Sequence, residues 1–472
     1  MLSVLIHTLG CKLNQLESEA FADSFRQAGF TLYNPSSGTS PSVIIINTCT
    51  VTSKADQKAR HVIRKALRDY PDSCVLATGC YAQLDQTQIN ELETAGDRQR
   101  LFVLKGMEKK SILNLPRYLV ESADPCCAVK IWEQANSPCS GVNGKVQNNH
   151  DGVFQFNPEQ FSSHTRGFLK IQDGCDKHCT YCRVRLARGP SISLDAEQAL
   201  TRLRILEESC GEAVLTGVNI CQYRESGAAS LGKLLEYLLA GTEKISLRLS
   251  SLAPDSIDEN FAKIISNKRI RSHFHLSIQS CSERILKKMG RNYNVQTIEK
   301  AAALLRRVKD DPFLACDIIT GFPSETKAEF EETLELCKKI NFAWIHVFPY
   351  SKRPGTPAWS FPGAVQEKEI TGRMQILTNL ARQGRVDYVR RWLGREVEVL
   401  VENGGGSNLC RGISENYLKV HIQYKGEKAP PPGTVLRCKL IEEPHTEARS
   451  FTENTKGNIG DYDVVAEVKS LG

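Results

Sequence analysis

The segment Gly174-Cys175-Asp176-Lys177-His178-Cys179-Thr180-Tyr181-Cys182 sets three thiols at C-x3-C-x2-C spacing. Three cysteines in one short loop can place three thiolates on three irons of a [4Fe–4S] cube, leaving the fourth iron without a protein ligand. An open metal position marks a reactive centre rather than a structural one. With 17 cysteines in 472 residues, chance would supply such a triplet roughly 0.02 times per chain. Zinc is the competing metal, with His178 as fourth ligand, but His178 adjoins Cys179 and joint ligation would be cramped.

Cys11, Cys49 and Cys80 are far apart in sequence, yet each follows an apolar, β-branched run and precedes an amphipathic one. In a parallel α/β sheet the carboxyl ends of strands share one edge, where ligands bind. Three distant thiols would converge there and hold a second cube with one open iron. The bland alternative is that they are small buried hydrophobes, the commonest role of a free cysteine. Cys74, inside a strand, fits that role; Cys126, Cys127, Cys139, Cys210 and Cys221 read as inert.

The elements that must position these thiols follow from periodicity. Strands are expected at 3–9, 43–48, 73–78 and 101–104, with helices near 15–28, 53–69 and 82–93, giving a small Rossmann-like α/β domain over residues 1–133. Residues 134–160 are rich in Asn, Ser, Gly and Gln and read as a linker. Over 161–392, six further βα units have strands at 168–172, 213–216, 245–249, 273–278, 315–319 and 344–348. They fit a partial (β/α)6 barrel, with a doubly wound sheet as the other reading. Residues 393–472 switch to short strands alone, a small all-β OB-like barrel.

The C-x3-C-x2-C loop, with an aromatic residue before its last cysteine, resembles the radical S-adenosylmethionine (SAM) superfamily. The blocks Leu9-Gly10-Cys11-Lys12-Leu13-Asn14-Gln15, Asn47-Thr48-Cys49-Thr50-Val51-Thr52 and Thr78-Gly79-Cys80-Tyr81-Ala82-Gln83 resemble the signatures of the methylthiotransferase family within it. The resemblance covers nearly the whole chain and implies an amino-terminal cluster domain, a radical SAM barrel and a carboxy-terminal TRAM domain. It implies two [4Fe–4S] clusters and SAM as cofactors, the anticodon loop of tRNA as substrate and an electron donor for cluster reduction. Lys12-Leu13-Asn14-Gln15 and Ser53-Lys54-Ala55-Asp56 look most like the branch acting on N6-threonylcarbamoyladenosine. Other branches act on isopentenyladenosine or on a ribosomal-protein aspartate. By the same analogy Gly217, Asn219, Arg248, Gln279 and Asp317, at barrel strand ends, are candidates for SAM or substrate contacts. No catalytic side chain is assigned beyond the clusters.

Two departures stand out. Cys281 replaces the family's usual glycine and would narrow the SAM pocket. Arg183 and Arg185 stand where apolar residues and a proline are usual; given Arg188 close by, these two read as phosphate contacts, the alternative being a solvated turn.

Composition sets the outer limits. The net charge of +7 permits a nucleic-acid partner without demanding one. Helix 53–69 carries Lys54, Lys58, Arg60, Arg64, Lys65 and Arg68 on one broad face, either a phosphate-binding surface or a solvated one. Residues 390–472 have zero net charge, so RNA binding there rests on the TRAM resemblance. The first seven residues have neither a basic start nor a long apolar run, so a cytoplasmic protein without a membrane partner is expected. A non-catalytic iron–sulfur RNA-binding or redox-sensing protein is the reading from another class. It would have no use for the barrel strand-end blocks.

Overall fold

The computed structural model describes residues 2–35, 39–93, 99–136, 150–158, 165–404, 409–424, 430–442 and 464–471. Cys139 lies outside them.

The first domain runs β1 (Ser3–Thr8), α1 (Lys12–Gln27), β2 (Thr31–Leu32), β3 (Val43–Thr48), α2 (Ser53–Asp69), β4 (Cys74–Gly79), α3 (Cys80–Leu84), α4 (Gln86–Asn90), β5 (Leu101–Val103), α5 (Leu115–Val120) and α6 (Pro125–Asn136). Its five-stranded sheet is parallel, in the order β2-β1-β3-β4-β5. Every residue of β3 and β4 is buried, because helices cover both faces. Phe21, Phe25, Ile45 and Trp132 fill one side, and Ile44, Ile46, Ile63 and Tyr81 the other. α2 starts where Thr52 Oγ1 accepts from Ala55 N at 3.2 Å. The single helix expected over 82–93 is two short ones, broken at Asp85, whose φ of −134° is not helical.

The linker is more than a tether. A 3-10 turn at His150–Phe154 is followed by Phe156, and both phenylalanines are buried. Phe156 meets Phe21 edge-on at 5.7 Å, while Phe154 joins the core of the next domain.

That domain contains β6 (Gly167–Lys170), β7 (Gln172–Asp173), α7 (Val184–Arg188), β8 (Ile192–Ser193), α8 (Ala196–Ser209), β9 (Glu212–Thr216), α9 (Leu231–Ala240), β10 (Ser246–Leu249), α10 (Glu259–Ile265), β11 (His273–Gln279), α11 (Glu283–Lys288), α12 (Val295–Val308), β12 (Phe313–Thr320), α13 (Lys327–Ile340) and β13 (Trp344–Pro349). Parallel triplets β6-β9-β10 and β11-β12-β13 are joined by the bridges Leu247–Ile270 and Leu252–Leu276. Strand order thus follows chain order around an open barrel, which removes the doubly wound alternative.

The 26-residue α14 (Glu367–Trp392) leads to a closed barrel of β14 (Glu396–Gly404), β15 (Leu409–Ser414), β16 (Lys419–Gln423), β17 (Val435–Glu442) and β18 (Val464–Leu471). Tyr388 and Trp392 share its core with Phe313 at the start of β12. Among the described residues no helix is long and apolar enough to cross a membrane.

Candidate active site

Cys175, Cys179 and Cys182 lie in the loop between β7 and α7 and are partly exposed. Gly174, at φ +68°, makes the turn; a Cβ there would sit 1.8 Å from Pro190 O. Thr180 ties the loop to α11 and its end, its N–H donating to Met289 O at 3.0 Å and its hydroxyl to Lys288 O at 2.8 Å. Tyr181 is half-buried against Phe322, their ring centroids 6.5 Å apart. The Val184 amide lies 3.5 Å from Cys182 Sγ, and the Lys177 amide donates to Cys175. Burial pushes the Cys182 thiol up to about 11, so ligation there must displace a proton.

Cys11 caps α1, Cys49 follows β3 and Cys80 opens α3. They lie close enough that Cys11 and Cys80 both bear on the Cys49 thiol, which burial raises to about 11. A Cβ on Gly10 would fall 2.9 Å from Cys49 Sγ, and one on Gly79 would fall 2.4 Å from Thr48 O. Both positions therefore need glycine to keep the cradle open. The Val51 amide donates to Cys49, repeating the i, i+2 pattern of Cys175 and Cys182. Amide donors at sulfur suit thiolates that carry a cluster. Among the described residues no three His, Cys, Asp or Glu side chains close to the radius of a single metal ion. The His178 ring lies instead against the Arg185 guanidinium.

Three polar clasps, which the sequence reading missed, join the two domains at residues close to the thiols. Arg183, next to Cys182, donates to Asp85 at 2.9 and 3.3 Å. Arg188 donates to Asp173 at 3.1 Å, to Glu17 at 3.2 Å and to Asn14 Oδ1 at 2.9 Å. Asn14 Nδ2 donates in turn to Leu9 O and Thr48 O, bracing the Cys11 and Cys49 turns. Arg353, beyond β13, donates to Thr50 Oγ1 at 2.6 Å and to Asp56 at 2.7 Å. Arg183 and the neighbouring Arg188 are therefore spent on carboxylates, which corrects the phosphate-contact expectation for Arg183; Arg185 is exposed and lies against His178.

Of the five residues expected at the ligand site, Asn219 touches Cys175 through its side chain. Its backbone N–H donates to Gln172 Oε1 at 2.8 Å. A Cβ on Gly217 would fall 2.9 Å from Gln172 O and Oε1, so glycine lets Gln172 through. Gln172 also donates to Gly174 O at 2.8 Å and thus organises the cluster loop. Gln279 ends β11 at φ +74°, beyond a register shift that starts at Leu276. Asp317 accepts from or pairs with His275 Nε2 at 3.0 Å, and His275 Nδ1 lies 2.5 Å from Ser251 Oγ. Arg248 is placed otherwise. It is fully buried, donating to Glu212 at 2.6 and 2.8 Å and to Ser414 O at 3.1 Å, so it fastens the small barrel instead of lining the thiol end. The free Cys281 thiol is buried in the core and donates a hydrogen bond to Cys337, which corrects the expected narrowing of a pocket. Cys221 has partners after all: Ala253 N and Ser256 Oγ donate to its sulfur at 3.2 and 3.0 Å.

On α2, Lys54, Lys58, Arg64, Lys65 and Arg68 are exposed, while Arg60 donates to Tyr81 OH at 2.7 Å. Asp56 is buried against Arg353 and does not offset the exposed cations.

Residues 169–337 match the radical SAM superfamily, and residues 3–98 match the uncharacterized protein family UPF0004. The threonylcarbamoyladenosine tRNA methylthiotransferase MtaB of Treponema pallidum is 36% identical over 94% of this chain and 99% of its own. Its namesake from Thermotoga maritima is 32% identical over 89% and 91%. A tRNA-2-methylthio-N(6)-dimethylallyladenosine synthase of Anaplasma marginale is 28% identical over 93% and 94%. With a thiol triad in each of two clasped domains and this likeness along nearly its whole length, the chain belongs to the methylthiotransferase family of radical SAM enzymes.

Proposed function

We propose that the protein converts N6-threonylcarbamoyladenosine next to the anticodon of tRNA to its 2-methylthio derivative. Cys175, Cys179 and Cys182 hold one [4Fe–4S] cluster and Cys11, Cys49 and Cys80 a second. The observation that carries this reading is the clasping of two three-thiol sites on separate domains toward each other. One open cluster serves radical generation, and two facing each other suit delivery of a sulfur group to the same atom.

General acid–base chemistry near pH 7 does not readily remove an unactivated C–H hydrogen. The clusters and SAM supply the radical that does so, together with the sulfur and methyl group that replace the hydrogen. The protein's own residues bind and orient. Asn219 steadies Cys175, and Gln172 fixes the loop through Gly174 and Asn219. Gly217, Gln279 and Asp317 are assigned to the SAM and substrate pocket.

Residues 1–133 form the cluster domain, 134–160 the linker, 161–392 the radical SAM domain and 393–472 the TRAM domain. The exposed cations of α2 give the anticodon arm a phosphate-binding face. A target base in a single-stranded loop can be splayed out and reached. Cluster reduction draws on an external one-electron donor.

The test is anaerobic reconstitution with iron, sulfide, reductant and SAM, followed by reaction with anticodon stem-loops carrying threonylcarbamoyladenosine or isopentenyladenosine. The first should gain a methylthio group and the second should not. Absence of deoxyadenosine and of methylthiolated nucleoside would refute the reading.

A further inference from the structure

Beyond the Arg353 clasp the chain makes a 3-10 turn at Pro357–Ser360, fixed to the loop that carries Cys179 and Cys182. Ala358 N–H donates to Thr180 O at 2.8 Å, and Tyr350 OH donates to Ala358 O at 2.8 Å. Ala358 is buried with Met289 and Phe322. Trp359, the next residue, turns the other way and is 43% exposed. Folded proteins usually cover so large an apolar ring. Here it stands open on a turn whose neighbours are packed and hydrogen-bonded. The Lys352 ammonium lies over the indole, 4.9 Å from the ring centroid. Lys352 is itself exposed and has no carboxylate partner among the described residues. The residues on either side of it grip the start of α2. Ser351 Oγ accepts from Ser53 N–H at 2.9 Å, and Arg353 reaches Thr50 and Asp56. The exposed cations of α2 begin at Lys54, next to Ser53, and Val51, two residues after Cys49, is 61% exposed. Open ring, ammonium and basic helix thus follow one another along the seam between the two cluster domains.

We propose that Trp359 is a stacking platform for an unpaired base of the tRNA anticodon loop beside the target adenosine, and that Lys352 meets the phosphate next to that base. The inference rests on the reading above. Every nucleobase has a π-face, so an open ring takes a base whatever the sequence, and a cation beside it takes the backbone. The cations that continue from Lys352 onto α2 favour a polyanion over a protein partner. A base held at Trp359 fixes the loop against the seam, which orients its neighbour toward the thiol sites. Trp359 is then a positioning residue for the substrate.

Full-length wild type, Trp359→Ala, Trp359→Phe and Lys352→Ala are reconstituted. Each is titrated with a fluorescent anticodon stem-loop bearing threonylcarbamoyladenosine, and with a set in which every other unpaired loop nucleotide is made abasic in turn. Trp359→Ala should raise the Kd of the intact loop by roughly fivefold to a hundredfold, the worth of one stacked base. Trp359→Phe should recover most of that loss. One abasic position should weaken wild type to a similar degree and leave Trp359→Ala unaffected. Lys352→Ala should flatten the slope of log affinity against log salt by roughly 0.7, one phosphate on a single strand. Iron content and SAM Kd should match wild type in all three variants. An unchanged loop Kd in Trp359→Ala overturns the platform. So does a loss shared equally by every abasic loop, or a fall in iron content or SAM affinity, which would make the indole a support of the cluster loop. Turnover impaired with a protein reductant at unchanged loop Kd would give Trp359 to a protein partner and overturn it as well. An unchanged salt slope in Lys352→Ala overturns the phosphate contact. In these cases wild type still methylthiolates the intact loop, and the function stands. Wild type that neither binds nor modifies the loop would overturn the function and this inference with it.

Discussion

The Arg183 guanidinium grips the Asp85 carboxylate at 2.9 and 3.3 Å, joining the residue after Cys182 to the break between the two helices that follow Cys80. The pair bridges the halves of the site within a few residues of a thiol on each side. Removing one partner of a buried pair typically costs 3–5 kcal/mol of the order measured elsewhere, roughly, because the other charge is stranded. Asp85→Asn should therefore keep full iron content and SAM cleavage yet slow methylthiolation more than about tenfold. The Asp85→Arg/Arg183→Asp exchange should recover part of the rate. Equal losses of SAM cleavage and methylthiolation would show that the pair merely supports folding.

Acid should loosen the clasp beneath α1. Burial alone would raise the Glu17 carboxyl, but Lys109, Arg188 and Lys170 outweigh it and hold it at about 2, against an ordinary 4.5. Asp173 is depressed in the same way by Lys170 and Arg188. A depressed carboxyl contributes stability that is complete above its unfolded value and is lost as pH falls toward its folded one. Denaturation midpoints should hold from neutrality to about pH 5 and fall steeply below. Glu17→Gln should be less stable at pH 7 and show a shallower acid limb; an identical limb would remove Glu17 from the account.

Arg248 should matter for assembly and not for SAM. Its guanidinium joins Glu212 to the small barrel at Ser414 O. Arg248→Met leaves Glu212 to Arg271 alone at 3.1 Å and removes charge-assisted hydrogen bonds, so unfolding free energy should drop by roughly 1.5–3 kcal/mol. SAM Kd, measured below the new midpoint, should stay within about twofold of wild type, a shift of under 0.5 kcal/mol. A large rise in SAM Kd at unchanged stability would return Arg248 to the ligand site.

The α2 face makes a salt-dependent prediction. Lys58→Ala, Arg64→Ala and Lys65→Ala together should weaken tRNA binding for all sequences and flatten the slope of log affinity against log salt by roughly 0.7–0.9 per lost phosphate contact. An unchanged slope in the triple variant would make the face an ordinary solvated one.

The thiols were legible because their chemistry depends on local spacing or on strand ends. Cys175, Cys179 and Cys182 announce themselves in eight residues, and Cys11, Cys49 and Cys80 each follow a strand of the parallel sheet. The clasps were not, because Arg183–Asp85 spans 98 positions and Arg353–Asp56 spans 297, and ion-pair partners have no periodic signature. Arg248 misled because a strand-end location says nothing about which way a long side chain turns; its partner Glu212 lies at the opposite end of β9.

The central claim is tested most directly by nucleoside mass spectrometry of tRNA from cells lacking this gene, complemented with wild type or with Cys11→Ala/Cys49→Ala/Cys80→Ala. The account predicts that 2-methylthio-N6-threonylcarbamoyladenosine disappears, leaving its unmethylthiolated precursor, and returns only with wild type. An undiminished level of that nucleoside in the deletion strain, or its full restoration by the triple variant, would contradict the account.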